Sequence, residues 1–217
     1  MFDFHTHTIF SDGELIPSEL VRRAFVIGYS GIALTDHVDF SNLDHVQSSV
    51  RKAKVLQEDL DMFVIVGVEI THVPPSRISE LARRAKKAGA EIVVVHGETV
   101  CEPVASGTNR AALESPDVDI LAHPGIITIE EAELARENGI FLEITSRKGH
   151  NTTNGHVVKV AREAGASLIV NTDSHSPDDL ITDGFALKVA IGAGLYEEDA
   201  EVVLRKNPLE LKERIGL

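Results

Sequence analysis

Residues 84–98 read RAKKAGAEIVVVHGE: an amphipathic run, a glycine, a short apolar run and then a polar residue. The same grammar returns at 24–37 (AFVIGYSGIALTDH), 136–146 (RENGIFLEITS) and 162–175 (REAGASLIVNTDSH). The runs before the glycines have helical period. Ile78, Leu81, Ala82 and Ala85 fall at i, i+3, i+4 and i+7, and Val157, Val160, Ala161 and Ala164 repeat that spacing. Gly28, Gly89, Gly139 and Gly165 stand where a helix closes in a left-handed cap. Each unit is therefore a helix followed by a strand, which implies parallel pairing through right-handed crossovers. MFVIVGVEI (62–70), DILAHPG (119–125) and the opening segment add three more strands.

Seven strands are expected, at 2–7, 31–37, 62–70, 91–97, 119–124, 140–145 and 167–174. Helices are expected at 17–27, 42–60, 76–88, 129–138, 153–164, 183–193 and 208–215. Without a linker or a break in composition, residues 1–217 read as one domain. Such a pattern fits either a doubly wound open sheet or a parallel α/β barrel, and the ends of the strands favour the barrel.

Composition narrows the function. With 43% hydrophobic and 25% charged residues the chain is an ordinary globular protein. A formal net charge of −13 argues against a long nucleic acid as partner, which needs a basic surface. A small anionic substrate stays open, because bound cations reverse the sign locally. Cys101 is the single cysteine, so neither an intrachain disulfide nor a thiolate cluster forms. No leader and no membrane-length apolar run is read, which makes a cytoplasmic location the expectation. The oligomeric state is not encoded legibly.

Polar residues fall at the ends of the strands. The first carries His5 and His7, with Asp12 just after; the second ends at His37, the third at Glu69, the fourth at His96 and the fifth at His123. The seventh carries Asp173 and His175. Along 2–7, alternation places Asp3, His5 and His7 on one face and Phe2, Phe4 and Thr6 on the other. In a parallel barrel all carboxyl ends open at one mouth, so nine ligand-type side chains are gathered there. That is too many for one ion, since a catalytic zinc takes three protein ligands and leaves a position for water. Two or three divalent ions are expected, and an imidazole-rich, thiol-free set suits zinc, manganese or iron. Neither a phosphate loop nor a serine nucleophile elbow is present.

DFHTHTIFSDG, ALTDH, GVEI, VVVHGE, LAHPG and NTDSH, in that order over residues 3–175, resemble the polymerase and histidinol phosphatase (PHP) superfamily. The resemblance implies a distorted seven-stranded parallel (β/α)7 barrel of TIM-like type with a trinuclear site at its C-terminal mouth. It implies one ion held by His5, His7, Glu69 and Asp173, a second by Glu69 as bridge with His96 and His123, and a third by Asp12, His37 and His175. Asp12 stands where some members carry histidine. The implied activity is that of a stand-alone, histidinol-phosphatase-like phosphoesterase, with a small phosphomonoester attacked by metal-activated hydroxide.

Glu69, Asp12 and Asp173 are the candidate catalytic residues. The loop after the sixth strand carries no ligand but offers Arg147, Lys148 and His150 for the substrate, arginine being suited to bidentate phosphate contact. Glu143 and Thr145 match no metal signature. Asp3 and Asp36 are candidates for orienting ligands. His45, His72 and His156 receive no role, and Cys101 reads as a small apolar side chain. The rival readings are a phosphodiesterase or exonuclease acting on nucleotides or short nucleic acid, an amidohydrolase, and a non-catalytic barrel subunit. The amidohydrolase asks for a bridging residue where His96–Gly97 stands, and a scaffold is expected to lose ligands.

Overall fold

Read along one strand, the period-two pattern sorts every side chain of the sheet into an inner or an outer layer. The computed structural model describes all 217 residues. Its strands are β1 (Phe2–Asp3), β2 (Gly31–Leu34), β3 (His37–Val38), β4 (Phe63–Ile70), β5 (Ile92–His96), β6 (Ile120–Ala122), β7 (Phe141–Thr145) and β8 (Leu168–Asn171). On β4, Val64, Val66, Val68 and Ile70 join the core beneath the helices. Ile65 points the other way, into a second cluster with Phe4, Ile92, Val94, Ile120, Phe141 and Ile169. Glu69 shares the parity of Ile65, so the same alternation that fills the barrel carries a carboxylate to its mouth. Full burial of each large apolar residue here contributes about 1.5–3 kcal/mol.

All pairs are parallel, in the order β1-β2-β4-β5-β6-β7-β8, with β3 on β4. Gly31 pairs with Phe63 and His37 with Glu69, the same offset along β4. Thus β2 and β3 are one strand interrupted at Thr35–Asp36, and the expected seven positions stand. The ring nearly closes where the first strand, still bonded to the end of β2 by Thr35 N donating to Thr6 O (2.9 Å), also pairs with the residues after β8. Asp173 N donates to His5 O (2.9 Å) and His7 N to Ser174 O (2.8 Å). Of the expected alternation over 2–7, the shared face of Phe2 and Phe4 stands, their rings stacked, and the rest fails, since β1 is regular only at Phe2–Asp3. Phe4 lies in the inner cluster, yet His5 also turns inward, its Nδ1 2.7 Å from Glu143 Oε2 on β7.

The helices are α1 (Pro17–Ile27), α2 (Leu43–Val50), α3 (Ile78–Lys87), α4 (Thr108–Leu113), α5 (Ile129–Asn138), α6 (Asn154–Ala164), α7 (Asp183–Gly192), α8 (Glu197–Glu201) and α9 (Asn207–Arg214). Helix α5 starts in a capping box, Thr128 with Glu131, worth about 1 kcal/mol. Three expectations need correction. The helix expected over 42–60 ends at Val50 and continues as 3₁₀ turns over Arg51–Glu58, where Gln57 Oε1 accepts from Val64 N at 3.0 Å. Helix α4 was not expected, and neither was α8 with the π-helical turn (Val202–Lys206) that follows it. No helix is long and apolar enough to cross a membrane.

Candidate metal centre

Strand parity delivers His37, Glu69 and His96 to the mouth, each continuing an inner-facing series. His123 does not follow from parity, because Ala122 already faces inward. Its backbone supplies the turn: φ is 28°, and the other non-glycine residues with positive φ, His72 and Asp173 (both 53°), also border the mouth. Such strain concentrates where function fixes a side chain. Gly97 and Gly125 permit the close passage of the loops after β5 and β6, since a Cβ on either would strike the backbone of Ala122 or Glu98.

Glu69 lies at the centre, fully buried. Its Oε1 is 3.3 Å from His5 Nε2 and 3.6 Å from His123 Nε2. Its Oε2 is 2.6 Å from His37 Nδ1 and 3.6 Å from His7 Nε2. Asp173 Oδ1 is 3.2 Å from His7 Nε2 and 3.6 Å from His5 Nε2. At the lip, Asp12 Oδ1 is 3.1 Å from His175 Nε2 and 3.5 Å from His37 Nε2. Most of these separations are long for hydrogen bonds. They match the edge of a tetrahedron around an ion with bonds near 2.0–2.1 Å, roughly 3.3–3.4 Å. Ligand atoms cluster as His5–His7–Glu69, His5–His123–Asp173, Glu69–His96–His123 and His7–Asp12–His37–His175. All nine residues read from the sequence are thus brought together, with His7 joining the outer group as well.

The donor atoms themselves test whether cations fit. His5 Nε2, His7 Nε2 and Glu69 Oε1 are buried without a hydrogen-bond partner, a costly condition that bound cations relieve. The residues fit divalent ions.

Backing groups hold the imidazoles in the required tautomer. Glu143 Oε2 accepts from His5 Nδ1 and also from Asn171 Nδ2 (2.9 Å), and Glu143 Oε1 accepts from His123 N (3.3 Å). His175 Nδ1 donates to Asp173 O (2.9 Å). Asp36 accepts from Thr8 N (2.8 Å) and Ser11 Oγ (2.8 Å), which fixes the turn leading to Asp12. Asp3 accepts from Thr172 Oγ1 (2.6 Å) and His5 N (3.3 Å), one rung below the ligands.

Electrostatics divides the ligands. Burial would raise Glu69, but the neighbouring His5 and His37 hold it well below the usual carboxylate range. Asp173 is likewise held down, against its burial, by His5 and His7. Asp12 is depressed by hydrogen bonds from His175 and His37, which outweigh its desolvation. Burial opposes charge on His5, yet Glu143, Glu69 and Asp173 raise it well above the ordinary imidazole value. For His37, Glu69 and Asp12 overcome burial and push it up to about 10. His7, desolvated and repelled by His37, falls to about 3. Without ions, protonated imidazoles offset the carboxylates.

A pit of about 220 Å³ opens above these residues and no apolar side chain lines it. Arg147 borders it, with Nη1 3.1 Å from Asp173 O and Nε 3.5 Å from Asp173 Oδ2. His150 also lines it, whereas Lys148 lies in a neighbouring groove with Phe185. His72 belongs to the pit wall, and so does Glu102. Sequence reasoning gave His72 no role and passed over Glu102, since both lie on loops without periodicity. Glu143 had a signal, a carboxylate of inner parity in the apolar run FLEIT, but its part is to back a ligand. His45 is exposed on α2, His156 sits in α6 with Nε2 2.8 Å from Ile127 O, and Cys101 is exposed and not in a core.

A family model described as PHP domain matches residues 3–216. An uncharacterised protein of Methanocaldococcus jannaschii is 57% identical over 99% of both chains. A probable phosphatase of Thermoanaerobacter is 30% identical, covering 98% of this chain and 93% of its own. Ribonuclease P protein component 3 of Methanosarcina barkeri is 29% identical, covering 92% and 83%. Among solved structures, archaeal ribonuclease P with mature tRNA contains a similar chain (TM-score 0.69, 18% identity, 99% of this chain and 89% of that one). A histidinol phosphate phosphatase from Lactococcus lactis, solved with zinc, L-histidinol and phosphate, aligns with TM-score 0.62 and 18% identity over 90% and 94%.

Proposed function

The chain belongs to the PHP domain family, a family of metal-dependent phosphoesterases, and from that premise we propose that it hydrolyses a small phosphomonoester, of histidinol-phosphate-like kind, at the mouth of its barrel. The observation that carries this reading is Glu69, whose two oxygens face different pairs of imidazoles beside buried nitrogens that lack partners. In the proposal the nine residues hold two or three divalent ions, zinc, manganese or iron. Such ions, when bound, acidify water and neutralise charge on a phosphoryl group in displacement.

The chain's own residues do the rest. Glu69 and Asp173 lie between ligand groups and fix the spacing of the site. Glu143 keeps the His5 Nε2 lone pair aimed inward. Arg147 stands at the pit with a planar donor set for phosphate oxygens, held there by the Asp173 carbonyl. Asp12, held ionised by His175 and His37, is placed to serve as a carboxylate ligand. A pit of about 220 Å³ with a polar lining suits a small ester.

A second reading, a subunit of an RNA-containing assembly, is favoured by the ribonuclease P relative and by the similar chain in the solved ribonuclease P. Against it stand the complete ligand set and the net charge of −13. One experiment separates them. Purified protein supplied with manganese or zinc is assayed against an aryl phosphate and a panel of natural mono- and diesters, with and without chelator, and its bound RNA is measured. Chelator-sensitive monoester hydrolysis is expected. No turnover from the metal-loaded protein, together with stoichiometric RNA, would establish the second reading instead.

A further inference from the structure

A second ligand cluster lies at the lip, outside the nine residues. Glu102, in the loop after β5, points its Oε2 at His96 Nε2 (3.1 Å) and His72 Nε2 (3.5 Å), and its Oε1 at His150 Nε2 (3.5 Å). Three imidazoles from separate segments thus present the same ring nitrogen to one carboxylate. Two rings are anchored through the opposite nitrogen: His96 Nδ1 donates to Gly97 O (3.2 Å), and His150 Nδ1 is bonded to Thr99 Oγ1 (2.8 Å). His72 is held over the mouth at φ 53°, in the left-handed region that a non-glycine residue rarely adopts.

These separations again match the edge of a tetrahedral zinc site, roughly 3.3–3.4 Å. Ligand atoms of His72, His96 and Glu102 all lie within 4.8 Å of one another, as do those of Glu69, His96 and His123. His96 is common to both groups, and with Nδ1 engaged its Nε2 lone pair serves one ion at a time. Once the buried group takes His96, His150 is the imidazole that remains beside Glu102.

We propose that His72 and Glu102, whose other oxygen faces His150 Nε2, hold an additional divalent cation at the lip of the mouth. This site rests on the metal reading of the barrel, but no role in hydrolysis is needed for it. Both His72 and Glu102 are more than a third exposed, so the position exchanges with solvent and is weaker than the buried set. A cation there places positive charge on the path by which an anionic ester reaches the pit.

Zinc itself is the probe. Metal-stripped protein and the double variant His72→Asn, Glu102→Gln are dialysed against graded free zinc, and bound metal is counted by elemental analysis. Circular dichroism checks the fold. At high free zinc the parent is expected to bind one equivalent more than the variant, and at low free zinc the two are expected to agree. Equal zinc content throughout would overturn the lip site, as would a variant short by more than one equivalent, which would place these residues in the buried set. The count retained by the variant reports separately on that buried set, so failure of one reading is not mistaken for failure of the other.

Discussion

The floor and the lip of the mouth use the same two ligand types and hold them by opposite means. On the floor, His5, His7, Glu69, His123 and Asp173 are almost wholly buried, and Glu143 and Asp3 back them from the sheet. At the lip, the Asp12 side chain is 56% exposed and that of Glu102 39%. The lip groups sit on loops and are positioned largely by one another. Buried ligands have no water to replace a lost partner, so each deletion there leaves a desolvated group unpaired. A lip ligand is replaced by solvent. In the proposed metal centre the floor therefore sets affinity and spacing, and the lip tunes access.

The largest effect is expected from Glu69→Gln, which keeps the volume and removes the charge facing four imidazoles. Activity should fall by at least roughly a hundredfold, with loss of metal. Full metal content with near-normal turnover would remove Glu69 from the centre of the floor. Next comes Glu143→Gln, which touches no ion in this account. Metal affinity is expected to drop by roughly ten- to a hundredfold through His5. Unchanged affinity in a chelator competition would break the link between backing carboxylate and ligand.

The lip should respond less. Arg147→Ala is expected to lower kcat/KM by roughly ten- to a hundredfold, with metal content intact, because one charge-assisted contact contributes about 1.5–3 kcal/mol. Kinetics equal to the parent's on the best substrate would return Arg147 to a structural role.

The smallest effect on turnover belongs to Asp3→Asn, within about threefold, but its pH signature is specific. Burial pushes Asp3 up to about 7, against hydrogen bonds from Thr172, while the unfolded chain titrates near 3.9. Its contribution to stability is therefore complete below about pH 4 and lost as pH rises to about 7. The chelator-treated Asp3→Asn variant should lose less stability across that window than the parent. Parallel unfolding profiles from pH 4 to 7 would show that Asp3 is not the titrating group.

How far the sequence could be read follows the same division. Glu69 and His96 were legible because alternation in long apolar strands leaves little choice of face. His123 came from its place at the end of a strand and not from alternation, since its inward turn depends on a backbone angle. The alternation over residues 2–7 failed beyond Phe4, on the strand that closes the ring and is bonded on both sides. His72 and Glu102 lie on loops, whose course is set by packing that no local pattern announces. The helix expected over 42–60 runs on as 3₁₀ turns beyond Val50, a segment whose Gln57 Oε1 accepts from Val64 N on β4.

The central claim is that Glu69 joins ligand groups serving more than one cation. Elemental analysis counts metal per chain, in protein purified without chelator and again after reconstitution at low free metal. The account predicts two or three tightly held ions per chain. One ion or none, unchanged by reconstitution, would contradict it.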